Sequence, residues 1–285
     1  ELAKAFGGDA TVHDSAAGIP ESARVVVLAG DQGGQAEAAA EHLDAGRHVV
    51  TVGDRPEVTS SLLALDSRAR SADRTLVVGA GFSPGLSGLL AARLAEDFEA
   101  VDELHYARHG AAGRLCAADR LGALRRRVPV WHDREWVDHR PGSGRELCWF
   151  PDPIGGADAY RAATAEPLLA VAAFDSLRRC SARLVLSRWD RMVQHLPVLL
   201  PAPAEGGVGA LRVEMRGSID GSRATRVLGT LDRPGVAAAA LGAEVVSSLL
   251  GGSVPTGAFG LEKWPDPGEM LVRLRDRGVR TAALG

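Results

Sequence analysis

The sequence predicts an α/β protein: a Rossmann-type parallel sheet, followed by a second α+β domain that contains an antiparallel sheet. Three observations predict it. Residues 22–98 alternate short apolar runs with helical stretches three times over. Each apolar run ends in a glycine turn, at Gly30–Gly34, Gly53–Asp54 and Gly79–Gly85. Past residue 100 the texture changes to alternating apolar and polar residues that meet at Asp220-Gly221, a hairpin-turn pair.

The elements come in order. Arg24 to Ala29 is a short continuous apolar run, as expected of a strand buried on both faces. A helical stretch runs from Gln35 to Ala45 and stops at Gly46, placed as a C-terminal cap. His48 to Val52 is the next strand, and Pro56 then sits where a first helical residue belongs. Leu62, Leu65 and Ala69 mark one helical face. Thr75 to Val78 is a third strand, and Leu86 to Glu96 a helix with Leu86, Leu90 and Leu94 on one side. Strand, glycine turn and helix in repetition imply right-handed crossovers and a parallel sheet. Ligands of such sheets bind beyond the carboxyl ends of the strands, where all three glycine turns fall.

In the second region, Val101–Ala107 and Ala182–Leu186 read as strands, and Leu211–Met215 pairs with Thr225–Leu228 across the hairpin. Helices are expected at about Val236–Leu250 and Pro267–Arg277, the latter ended by Gly278. Loops are expected at 141–156 and 197–209. No internal repeat is visible. The expected organisation is residues 1–100 as the parallel-sheet domain, 101–235 as the α+β domain, and 236–285 as helices returning to the first.

With 285 residues, 46% hydrophobic and 24% charged, the chain can bury a large core without staples. A net charge of −3 gives no basic field for nucleic acid. Only Lys4 and Lys263 are lysine, so 31 of the 33 basic residues are arginine. A Schiff-base lysine would have to be one of those two. Cys116, Cys148 and Cys180 stand far apart without C-x-x-C spacing, which suggests a reducing, cytoplasmic setting. The longest apolar stretch, Val236–Leu250, is interrupted by Glu244 and two serines, so no membrane association is expected. The opening, Glu1 to Ala10, reads as neither a signal nor a transit peptide.

Gly79-Ala-Gly81-Phe-Ser-Pro-Gly85 after an apolar strand has the form G-x-G-x-x-x-G. Glycines let backbone approach a phosphate, and a helix N-terminus supplies free N–H groups. The plainer reading has Ser83 cap the next helix and Pro84 start it.

The string from Arg24 to Asp54, with LVVGAGFSPGLSGLLAARLA from Leu76, resembles the later half of the nucleotide-binding domain of saccharopine dehydrogenase-like oxidoreductases. The hairpin from Gly209 to Gly235 is similar to that family's. So are the Ala-rich helix after it, the small-residue turn at Gly251–Gly257 and the closing Leu274-to-Val279 helix end. The resemblance implies a Rossmann domain with an inserted α+β domain. It also implies NAD or NADP as cofactor, a small-molecule substrate, a homodimer, and hydride transfer at a C–N or C–O bond of an amino- or keto-acid-like molecule. In that frame Ala29, Gly30, Asp31, Gly53, Gly79, Gly81, Phe82 and Ser83 line the cofactor, and Asp54 faces the cleft. The family pattern opens with a strand and a G-x-G-x-x-G turn. Here Glu1 to Gly8 resembles the family's stretch after the second strand, so the phosphate loop is expected outside these residues. The rival reading is a dimeric homologue that has lost dinucleotide binding and catalysis. A third takes Gly79–Gly85 as the true fingerprint.

Among candidate proton-transfer groups, Asp54 at a strand end and His109 stand first. His105 and His109 share one strand face, with Tyr106 and Arg108 on the other. No third ligand suggests itself, so no metal is expected. Trp131–Asp133 and Asp138-His139 fit a hairpin, Arg125–Arg127 a solvated face, and Trp149–Gly156 a stiff apolar loop that either walls a pocket or packs in the core.

Overall fold

The computed structural model describes residues 10–13, 18–186 and 205–284. Part of the loop expected at 197–209 therefore lies outside the described residues. The first sheet begins with β1 (Val25–Leu28), α1 (Gln35–Asp44) and β2 (His48–Thr51). Then come α2 (Pro56–Leu63), α3 (Asp66–Ser71), β3 (Thr75–Val77) and α4 (Leu86–Ala95). The second sheet opens with β4 (Ala100–His109) and α5 (Gly113–Gly122). The hairpin β5 (Val128–His132) and β6 (Glu135–His139) is followed by β7 (Glu146–Trp149) and β8 (Gly156–Arg161). After α6 (Glu166–Ala173) and β9 (Arg179–Val185) come β10 (Gly209–Ile219) and β11 (Ser222–Asp232). The chain then runs through α7 (Pro234–Gly251), β12 (Gly257–Phe259), a 3-10 turn at Leu261–Lys263, α8 (Pro267–Asp276) and β13 (Thr281–Ala283).

The first sheet has the order β1-β2-β3-β12, every pair parallel, as the βαβ pattern required. Successive residues point to opposite faces. Val49, Leu76 and Val78 pack under α1–α3 with Ala39, Leu43 and Leu62, while Val50 and Val77 face the other core with Leu86, Leu90, Leu241 and Val245. The helix expected over residues 56–69 is two helices, broken at Ala64-Leu65.

The second sheet is mixed: β4 and β9 pair in parallel, while its other pairs are antiparallel. The β10–β11 hairpin turns at Asp220-Gly221, both at positive φ (49° and 69°). That is the geometry an Asp-Gly pair favours. Asp133 and Arg134 turn the β5–β6 hairpin in the same way. Of the C-terminal stretch, β12 joins the first sheet beside β3, whereas β13 joins the second beside β11.

α4 and α7 lie between the two sheets, which explains their composition. Eight of the ten residues of α4 are buried, so its leucines are not a single-sided stripe. α7 is long and apolar enough to cross a membrane by length and composition, yet 67% of it is buried inside the protein. Leu104, Tyr106, Leu211, Val213 and Met215 of the second sheet complete this central core. In the 149–156 loop Phe150 packs with Cys148 and Ala159, while Trp149 is exposed. That loop is anchored in the core by Phe150 and does not wall the cavity described below.

Candidate functional site

The carboxyl ends of β1, β2 and β3 open onto a cavity of about 320 Å³. The turn after β1 contributes Ala29, Gly30 and Gln32; the turn after β2 contributes Val52, Gly53 and Asp54; the loop after β3 contributes Gly81, Phe82 and Ser83. The opposite wall is Arg108 with residues 110–116 and Asp119, and Pro234, Gly235 and Ala238 at the start of α7 close it. Seven of the residues expected around a cofactor or substrate, including Asp54, therefore share one hollow. Gly79 does not line it; its N–H donates to Thr51 Oγ1 at 3.1 Å. Asp31 is exposed and lies 3.6 Å from Arg55. His109 ends β4 without lining the cavity, although its neighbours Arg108 and Gly110 do.

Neither Asp54 nor Ser83 is a helix cap. α2 is capped by Arg55 and α4 by Gly85, both without a side-chain bond. Asp54 instead meets Arg108, whose Nη2 donates to its Oδ2 at 3.2 Å. Burial holds the Asp54 carboxyl above its ordinary range, Arg108 opposes that rise, and Glu166 and Asp119 add to it. Arg108 Nη1 donates to the Ser83 carbonyl at 2.5 Å, and the Ser83 hydroxyl donates to Glu166. The face of β4 that carries Tyr106 and Arg108, opposite the histidines, is the one turned to the site.

Behind Ser83 lies a buried acidic pair. Glu166 is 2% exposed and Glu262 is 4% exposed. Tyr106 donates to Glu262 Oε1 at 3.3 Å. Burial raises Glu262 to about 8, with a further upward push from Glu166. The Glu262 carboxyl lies against α4 at Gly88, where a Cβ would stand 2.7 Å from it. Glutamates 83 and 156 or more residues from their partners gave no local signal, so sequence reasoning missed both.

The Gly79–Gly85 loop is closed on itself. Leu86 and Ser87 N–H groups donate to the carbonyls of Gly81 and Phe82, and residues 79–90 are all buried. Those two amides at the start of α4 are spent inside the loop, so the loop offers the cavity its Gly81–Ser83 lining rather than those N–H groups. His105 faces away from the cavity, bonded to Ser181 at 2.9 Å and 3.5 Å from Glu103. Among the described residues no three His, Cys, Asp or Glu side chains form a metal-binding group. Lys263 does not line the cavity. Arg126 and Arg127 pair with Glu57 and Asp138 at 3.4 and 3.8 Å, outside the cavity.

No known family's sequence profile matches this chain, and no curated protein matches it. The fold matches apo saccharopine dehydrogenase (L-Glu forming) from Saccharomyces cerevisiae with a TM-score of 0.64 at 10% identity, covering 93% of this chain and 86% of that one. An amine dehydrogenase from Mycobacterium smegmatis gives 0.40 at 13% identity, over 85% and 75% of the two chains, a score too low to reason from. The chain thus has a saccharopine dehydrogenase-like fold: a Rossmann-like α/β sheet with a second sheet rich in antiparallel strands.

The lining of the cavity suits a flat heteroaromatic ring. A flat heteroaromatic ring needs apolar walls with a few polar groups at the edge. Ala29, Val52, Phe82 and Ala238 are the walls; Asp54 and the backbone around Ser83 are the edge. At Gly30 nothing stands within 4 Å of where a Cβ would project, so backbone is bare there.

Proposed function

We propose, from this saccharopine dehydrogenase-like fold and its strand-end cavity, an NAD(P)-dependent oxidoreductase. It acts at a C–N or C–O bond of a small amino- or keto-acid-like substrate. The observation that carries the reading is the Asp54–Arg108 pair at the edge of an apolar slot beyond β1, β2 and β3. A bound nicotinamide supplies two-electron hydride chemistry. Ala29, Gly30 and Gly53 would hold it, and Gly81, Phe82 and Ser83 would shape the slot and exclude water.

Asp54 is the proposed proton-transfer residue. Arg108 holds Oδ2 and leaves Oδ1 to take the N–H or O–H proton of a substrate as its carbon loses hydride, or to return it in reduction. Burial raises this carboxyl above its ordinary range, which favours its holding a proton. His109 has no place in this mechanism, because it does not line the cavity.

A cytoplasmic homodimer belongs to the same proposal. Three free cysteines support a reducing setting, and exposed Trp136, Val137, Leu147 and Trp149 on β6 and β7 support a partner surface. The test of activity is oxidation of NADH or NADPH with a panel of keto acids and amines, followed at 340 nm. Turnover that Asp54→Asn abolishes supports the reading; no turnover together with no dinucleotide binding leaves the non-catalytic homologue.

A further inference from the structure

Gln32 and Arg55, which come after β1 and β2, converge on one carboxylate. Asp119 of α5 accepts from Arg55 Nε at 2.9 Å and lies 2.8 Å from its Nη2, while its Oδ2 accepts from Gln32 Nε2 at 2.7 Å. We propose that Gln32 and Arg55 form a seat for an oxyanion, a ligand carboxylate or phosphate. Asp119 occupies it as an internal stand-in and holds α5 over the cavity until an anionic ligand displaces it.

The donors are built in advance. Gln32 is 4% exposed, and its Oε1 accepts the Arg55 backbone N–H at 2.9 Å. That bond fixes the amide so that Nε2 faces the seat. The Gln32 stem crosses Gly53, where any Cβ would collide with it. A guanidinium fork beside an amide is the donor set that a planar carboxylate or a phosphate face takes up.

The helix that carries the occupant is shallowly seated. No residue of α5 is buried, and Gly110 and Gly113 at its start have φ of 85° and 63°, a backbone that suits a hinge. Arg120 ties the helix to the Val185 carbonyl of the second sheet at 2.6 Å. Towards the first sheet Asp119 ties it and, just beyond the helix, so does the Arg126–Glu57 pair at 3.4 Å. Asp119 also lines an open hollow of about 430 Å³ bordered by Arg55, Val58 and Arg126. It therefore stands between that hollow and the cavity, and its departure would join them.

The experiment needs no dinucleotide and no turnover, so its outcome is separate from that of the redox reading. Inorganic pyrophosphate and malonate are titrated calorimetrically into the wild-type chain, Asp119→Ala, Asp119→Asn and the double variant Arg55→Ala/Asp119→Ala. Cys116 lines the cavity on α5, while Cys148 and Cys180 are buried, so its alkylation rate reports opening. Asp119→Ala should bind one of the anions about tenfold more tightly than wild type and alkylate several-fold faster, and the double variant should lose the gain. Tighter pyrophosphate assigns the seat to a phosphate, and tighter malonate to a carboxylate. If neither anion binds either single variant better than wild type, the seat does not exist.

Discussion

Arg108 Nη2 lies 3.2 Å from Asp54 Oδ2, with both residues more than nine-tenths buried, and this pair joins the tip of β2 to the inner face of β4. The two sheets meet at the candidate site through a charge pair. Removing one member leaves the other buried and uncompensated, the costliest way to break such a pair.

Arg108→Met should therefore lower unfolding stability by about 3–5 kcal/mol, and adding Asp54→Asn should recover at least about 2 kcal/mol of it. Urea denaturation of both variants checks this. Additive losses would mean that the pair is not coupled.

Glu262 sets a pH dependence whose sign is fixed by its raised value. The folded chain holds its proton up to about pH 8, the unfolded chain only to about 4.5. Its contribution is full below 4.5 and lost as pH rises towards 8, a change of roughly 5 kcal/mol at most. Wild-type stability should fall across that window more steeply than that of Glu262→Gln. Parallel curves from pH 5 to 8 would contradict the assignment.

Gly88 sits inside α4, where alanine is ordinarily better by about 1 kcal/mol. Here Gly88→Ala should instead destabilise, by about 1–3 kcal/mol, because the new methyl meets the Glu262 carboxyl at 2.7 Å. Thermal melts of Gly88→Ala with and without Glu262→Ala test it. The second change should relieve the first.

Much of the architecture was legible because its signals are local. Val25–Leu28, His48–Thr51 and Thr75–Val77 are apolar runs stopped by glycine, and Asp220-Gly221 encodes its own turn. That three strand ends share a ligand crevice came from topology alone, and it placed Gly30, Gly53, Asp54 and Gly81 together. Ser83 was ambiguous: a serine before proline and a helix has the look of a cap, and only the fold brings Glu166 to its hydroxyl. Gln32, Arg108, Asp119, Glu166 and Glu262 act through partners far along the chain, and no periodicity marks them. α5 carries no buried residue, so it had no apolar face to betray it. The parallel β4–β9 pair and the placement of β13 are long-range choices of the same kind.

Gly30 separates site from scaffold. Space around its missing Cβ is open, so Gly30→Leu should leave the melting temperature within about 2 °C of wild type, a surface-like effect. It should nevertheless fill the slot and weaken dinucleotide binding at least about tenfold. Unfolding of this variant would place Gly30 in the core rather than the site.

Redox chemistry at this site requires that the hollow beyond β1, β2 and β3 accept a nicotinamide ring, and a dinucleotide titration of the intact chain is the decisive test. NADH and NADPH at up to millimolar concentration are added while thermal stability and nucleotide fluorescence are followed. Saturable stabilisation by at least one of them is expected, and it should be lost in Gly30→Leu. No stabilisation by either, or stabilisation equal in wild type and Gly30→Leu, would refute the assignment of the hollow.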